Sequence, residues 1–218
     1  MATVGILPMF INFFSILLGI AVFYIVSEVT KKQKKKRAQE AFSQIINLIL
    51  FLWLAKILLN LPLLFSDPLA LLAYPSDSQS FYLAIAFSAA LLLYGVRSGR
   101  IHAWETLQTL LYILLPASFF YEFAQLTWFD DGYAFGNLIL SGVLLALFLM
   151  LNGKASPYRL GTVLIGVWAA GMLLIFSLQS FASTFGYVMK PWFIVTLFIA
   201  GYFFMLLSSR RRAINEFD

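Results

Sequence analysis

The sequence predicts an all-α, polytopic membrane protein of seven transmembrane helices, with its amino terminus outside and its carboxyl terminus cytoplasmic. Three observations carry this reading. Hydrophobic residues make up 61% of the 218 and charged residues 11%, with a mean hydropathy of +0.88, too little polar surface for a soluble globule of this length. Seven apolar runs come near the ~20 residues that cross a bilayer. The basic residues are also placed unevenly: Lys31, Lys32, Lys34, Lys35, Lys36, Arg37, Arg97, Arg100, Lys154, Arg159, Arg210, Arg211 and Arg212 fall on one side of a seven-span arrangement, and only Lys190 falls on the other. Lysine and arginine in short loops are retained in the cytoplasm, which sets the orientation.

In order, the runs are Ile6–Glu28, Phe42–Ser66, Phe81–Val96, Ala103–Phe129, Ala134–Leu151, Gly161–Phe181 and Trp192–Leu207. The first has no basic residue ahead of it and is longer than a signal-peptide core, so it reads as a retained helix. Residues 29–40 read as a basic cytoplasmic loop that anchors topology and touches anionic headgroups. The third run is short and gains a turn from Ser78–Ser80. The fourth holds Pro116 in its middle, which predicts tilt and a kink. Between the second and third runs, residues 67–80 form an outer arm: Leu69-Ala70-Leu71-Leu72 and Ala73-Tyr74 are apolar enough to lie among headgroups. The other outer loops are short, and the whole of 1–218 forms a single transmembrane domain. A brief echo between Ala41–Leu50 and Ala134–Leu140 hints at a three-helix repeat.

Several chemistries are excluded. With no cysteine there is no disulfide and no thiolate metal site. The single histidine, His102, lies among basic residues at a helix end and cannot build a haem or zinc site alone. Nothing in the chain supports a metal centre, a cofactor, a nucleotide site or nucleic-acid binding.

Ionisable residues within the runs are the informative ones, since each costs at least a few kcal/mol near the bilayer centre. Lys56 lies near the middle of the second run and Glu122 about two turns beyond Pro116 in the fourth. If their helices are neighbours, Lys56 and Glu122 pair across a polar cavity open to the outer leaflet. A structural ion pair or a snorkelling lysine explains them as well as a functional site does. Glu105 sits in the first turn of the fourth helix, where a carboxylate meets the helix dipole favourably and needs no function.

From Leu54 to Pro116 the order of features is distinctive. Leu54-Ala55-Lys56 lies inside the second span and Asp67-Pro68-Leu69 makes the turn that follows it. Ser80-Phe81-Tyr82-Leu83-Ala84 opens the next span, Arg97 follows sixteen residues after the phenylalanine, and Pro116 interrupts the fourth run. This stretch resembles the bacterial prolipoprotein diacylglyceryl transferases, seven-helix proteins with an external amino terminus. Their Gly-Ala-Arg, Asn-Pro-Leu and Ser-Phe-His-Gly-Gly motifs correspond to the first three elements. The resemblance implies a bacterial cytoplasmic membrane location and a phospholipid ligand, phosphatidylglycerol in that family. It makes Lys56, Ser80, Tyr82, Glu122, Gln125 and Gln179 the lipid-binding candidates, and Tyr82, Lys56 and Glu122 the catalytic ones.

The departures bear on activity. Tyr82 replaces the family's histidine, and Leu83 and Ala84 replace its glycines. No arginine lies near Glu122-Phe123-Ala124-Gln125. From Gly161 to Met189 the chain has no charged residue, with Gln179 the nearest polar remnant. A lysine lacks the planar fork with which arginine grips phosphate, and a phenol of unperturbed pKa about 10 is a poor base at neutral pH. The reading is therefore a transferase-like scaffold, non-catalytic or repurposed, that binds a phospholipid or a transmembrane segment of another membrane protein. An active diacylglyceryl transferase and a small membrane transporter remain as alternatives.

Overall fold

The computed structural model describes residues 6–67, 69, 71 and 76–215, with side chains described within 10–205 apart from 157–158. It shows an all-α, multi-pass membrane protein with one small β-hairpin. The helices are α1 (Ile6–Val26), α2 (Lys31–Leu59), α3 (Leu61–Ser66), α4 (Ser78–Arg97), α5 (Ala103–Trp128), α6 (Ala134–Leu151) and α7 (Pro157–Gln179), then strands β1 (Ala182–Thr184) and β2 (Tyr187–Met189), then α8 (Pro191–Asn215). Among the described residues five helices, α2, α4, α5, α6 and α7, are long and apolar enough to span a bilayer, and α1 and α8 contribute shorter apolar segments. Large side chains such as Phe13, Leu50, Tyr94, Ile139, Leu174 and Phe203 point away from the protein. Lipid is the solvent that suits such a surface.

Three sequence expectations need correction. Lys31–Glu40, expected as part of a loop over 29–40, is the start of α2. Thr30 caps that helix through a capping box, accepting from the Gln33 amide while the Gln33 side chain accepts from the Thr30 amide, so two of the open donors at the helix start are satisfied. The run Phe42–Ser66 is not one helix. Pro62, in the first turn of α3, has no N–H to continue the ladder, and the chain breaks at Asn60, whose side-chain amide donates to the Lys56 carbonyl at 2.9 Å. The segment after Gln179, expected to be helical to Phe181 and then a plain loop, holds the hairpin. Of the predicted outer arm, Pro68, Ala70 and residues 72–75 lie outside the described residues; Leu69 is exposed and Leu71 buried.

The chain divides into two compact units, Met1–Ile113 and Leu114–Asp218. The division falls inside α5, which runs unbroken through the buried Pro116. In the first unit α2 packs along α4. Ala41, Ile45, Ala55 and Lys56 are buried on α2, and Ser80, Phe81, Tyr82, Ala84 and Gly95 on α4, small residues at both ends of the seam allowing close approach. The rings of Phe51 and Phe87 meet edge to face at 5.7 Å. Arg37 on α2 reaches Glu105 on α5 at 3.2 Å, and Phe23 on α1 meets Tyr112 on α5 at 5.8 Å. Glu105, expected to need nothing beyond the helix dipole, thus also pairs the starts of α2 and α5.

In the second unit the inner stripe of α6 is Ala134, Asn137, Ser141, Leu144 and Phe148, a three-and-four spacing that puts all five on one face. Its polar half lies toward the start of the helix. Leu140 of α6 packs over Gly171 of α7, and Ile165 of α7 over Gly201 of α8. The hairpin pairs Ala182 with Met189, Ser183 with Val188 and Thr184 with Tyr187. Its two turn residues, Phe185 and Gly186, both have positive φ, 50° and 83°, as a tight right-twisted hairpin demands. Phenylalanine is disfavoured there. Its ring is held against Tyr121 of α5 at 5.6 Å, and that contact offsets the backbone cost.

Candidate functional site: two polar clusters

The six site residues predicted from the sequence fall into two groups, one per unit. Lys56, Ser80 and Tyr82 belong to the first unit, and Glu122, Gln125 and Gln179 to the second.

In the first unit, the Phe51–Phe87 contact sets the register between α2 and α4. As consecutive spans packed side by side the two helices run antiparallel, so five residues further along α2 and five back along α4 bring Lys56 level with Tyr82. That end of the seam lies away from the Lys31–Arg37 charges. Because α2 ends at Leu59, Lys56 stands in its last turn rather than in the middle of one helix reaching Ser66. Lys56 is buried, 4% exposed. The Nζ lies 5.1 Å from the centroid of the Trp53 ring, a distance at which an aromatic face attracts a cation.

Ser80 has a structural task. Asp77 caps α4, accepting from the Ser80 amide at 2.9 Å and the Ser80 hydroxyl at 2.6 Å, and this fixes where the helix begins. Tyr82 is buried on the same turn. Ala84 is fully buried on the face of α4 that packs along α2, so its small size serves helix packing.

In the second unit, Glu122 is 3% exposed and the Asn137 side chain lies within hydrogen-bonding reach of its carboxylate. Asn137 also donates through Nδ2 to the Ser183 hydroxyl at 3.2 Å, which ties β1 to α6. Tyr121 bonds to Gln125, one turn from Glu122 on the same helix. Gln179 lies over Gly136, its Nε2 3.3 Å from where a Cβ there would stand. The Asp131 amide donates to the Gln125 carbonyl at 3.2 Å, and the exposed Asp131 carboxylate is near enough to act electrostatically on Glu122. Glu122, Gln125 and Gln179 thus gather at the hairpin end of this unit. Among its described residues no lysine or arginine forms a salt bridge with Glu122.

Sequence reasoning did not single out Asn137, Ser183 or Tyr121. Asn137 was visible as the one amide in an 18-residue apolar helix, and the hairpin as a two-residue turn ending in glycine between short β-forming stretches. Among the described residues no cluster of three metal-ligating side chains occurs. Comparison with known protein families, characterised proteins and solved structures finds no match to this chain. The helices and these clusters define its class, an all-α multi-pass membrane protein with a polar cluster at one end of each unit.

Proposed function

We propose that this is a bacterial cytoplasmic-membrane protein with seven spans that binds an anionic phospholipid at the α2–α4 seam, with no diacylglyceryl transfer. The observation that carries the reading is Lys56, a buried cation in the last turn of a long apolar helix, level with Tyr82. A lysine at that position meets lipid phosphate as its natural counter-charge. The resemblance to the diacylglyceryl transferases points to the same position and to phosphatidylglycerol. The missing arginines and the phenol in place of imidazole argue against turnover. A partner transmembrane segment is the other occupant this reading allows.

The orientation belongs to the same proposal. The Arg37–Glu105 pair brings together the starts of α2 and α5, as expected if the Lys31–Arg37 and Arg97–Arg100 segments lie on one face. A reporter fused after Phe129 is expected to read as external and one fused after Arg212 as cytoplasmic. Access to the Arg210–Asp218 tail from outside intact cells would rule the arrangement out.

The binding test is native mass spectrometry of delipidated protein offered phosphatidylglycerol and phosphatidylethanolamine in competition. Wild type should retain the anionic lipid preferentially. Lys56→Met should weaken that retention about tenfold, in line with the roughly 1.5–3 kcal/mol of a hydrogen bond to a charged group, and Lys56→Arg should preserve it. Equal retention of both lipids, or no change in Lys56→Met, contradicts the proposal. Incubation with phosphatidylglycerol and a lipobox peptide should release no glycerol phosphate. Turnover that disappears in Tyr82→Phe would put the transferase reading in its place.

A further inference from the structure

We infer that the outward face of the first turns of α2, carrying Lys31, Lys32, Lys35 and Lys36, docks an acidic segment of a second, water-soluble protein. The inference rests neither on the lipid reading, which concerns the other end of this helix, nor on which side of the membrane the segment faces.

The structure sorts the basic residues of this stretch by face. Lys34 and Arg37 turn inward and have structural partners: the Lys34 ammonium donates to the Tyr24 carbonyl in the last turn of α1 at 2.7 Å, and Arg37 pairs with Glu105 at 3.2 Å. Lys31, Lys32, Lys35 and Lys36 are exposed. At i, i+1, i+4 and i+5 they share one side of the helix, on the far side from the buried Ala41 and Ile45. Lys36 approaches Glu40 only at 3.9 Å, with 73% of its side chain exposed, and a pair so open is weak.

This arrangement works against the helix that carries it. Lys31 with Lys35, and Lys32 with Lys36, are like charges one turn apart, and each such pair destabilises a helix. The first turn also holds no acidic residue to meet the helix dipole, which repels cations at a helix start. The helix forms nonetheless, held by the Thr30–Gln33 capping box and the inward contacts of Lys34 and Arg37. A local rule broken without compensation marks a functional surface, and a partner of opposite charge relieves the whole repulsion.

Direction and residue type select the partner. Residues 31–40 hold seven charges and stay out of hydrocarbon, yet they continue in one helix into the apolar span. A loop of this composition would lie along the bilayer surface; these turns stand off it. The four lysines are spread over about 7.5 Å of the axis, and helical side chains lean toward the amino-terminal end, here away from the apolar part of α2. The stripe therefore faces water rather than a single plane of headgroups. The guanidinium of this segment is occupied by Glu105, and no aromatic lies between Val29 and Ala41, so the planar phosphate grip and base stacking of nucleic-acid surfaces are missing. Two rows of ammonium groups one turn apart match the carboxylates of an acidic helix, whose own i, i+4 spacing repeats the same distance.

The test places the full chain in nanodiscs of neutral phosphatidylcholine and measures, by fluorescence anisotropy, binding of a labelled peptide of repeating Glu-Glu-Ala-Ala. Wild type should bind this peptide and not its Gln-Gln-Ala-Ala counterpart, and binding should weaken as salt rises. Lys31→Gln, Lys32→Gln, Lys35→Gln and Lys36→Gln combined should weaken it about tenfold or more. Arg97→Gln, Arg100→Gln, Lys154→Gln and Arg159→Gln combined, which lower the net charge equally, should leave it within about threefold of wild type. Carbodiimide crosslinking of the glutamate peptide to wild type, mapped by mass spectrometry, should mark the four lysines and needs no variant to fold. No binding to wild type, crosslinks only at other lysines, or equal losses in the two combined variants overturns the site. Tighter binding of oligouridine than of the acidic peptide assigns the stripe to nucleic acid, and loss of peptide binding in phosphatidylglycerol nanodiscs assigns it to the bilayer; either result overturns the inference.

Discussion

Asn137→Leu is expected to be the most damaging volume-conserving change in the second unit, lowering stability by about 2–4 kcal/mol, the range for breaking a buried polar network. The leucine removes the donor to Ser183 and the amide beside the Glu122 carboxylate together, and leaves the carboxylate buried. Ser183→Ala should cost only about 1 kcal/mol, the net value of one ordinary hydrogen bond. The difference is the part due to Glu122, and Glu122→Gln should recover some of it in the Asn137→Leu background, since a neutral amide is easier to bury than a charge. Detergent melts of Asn137→Leu, Ser183→Ala, Glu122→Gln and the Asn137→Leu with Glu122→Gln double variant measure this. An Asn137→Leu protein within about 0.5 kcal/mol of wild type, the usual range of a silent surface change, would show that the cluster carries no stability.

Gly186→Val is expected to cost a similar amount, about 2–4 kcal/mol, through backbone strain and overpacking together. The φ of +83° disfavours any side chain and a β-branched one most, and a Cβ there would stand 2.9 Å from the Tyr121 hydroxyl. Gly186→Asn, which tolerates the left-handed region, should cost less. Removing the obstructing oxygen with Tyr121→Phe should relieve part of the clash but none of the backbone strain, so the double change with Gly186→Val should be milder than the sum of the two single ones. Strict additivity would mean the hairpin shifts away from Tyr121 at no cost.

The apolar helices were legible because a bilayer imposes one strong rule, a long apolar run, and several of the runs found a helix at nearly the expected ends. Ala103–Phe129 became Ala103–Trp128, and Ala134–Leu151 matched. The start of α2 was misread although its signal was present. Thr30 and Gln33 form a capping box, but the density of charge from Lys31 to Arg37 suggested a solvated loop, and on a helix end outside the bilayer charge and helicity do not conflict. The break at Asn60 was hidden because apolar residues lie on both sides of Pro62, so composition did not change where the ladder did. Lys56 and Glu122 were found from the cost of burying charge alone. Their surroundings were not. Asn137 acquires its meaning from Ser183, 46 residues away, and strands of three residues are too short for an alternating pattern to register.

The division between Ile113 and Leu114 bears on the order in which the protein is made. Every contact described for the first unit, from Phe23–Tyr112 to Arg37–Glu105 and the α2–α4 seam, is complete once the first half of α5 has entered the membrane. At about 5–20 residues per second the rest of the chain takes on the order of 5–20 s to emerge, far longer than helices need to pair. The basic anchor and the Lys56 face are therefore settled before Glu122 is joined by Asn137, and long before the hairpin reaches them. A chain arrested during synthesis after Pro116 already holds one finished unit, and the slow, non-local step left to assembly is the return of Ser183 to α6.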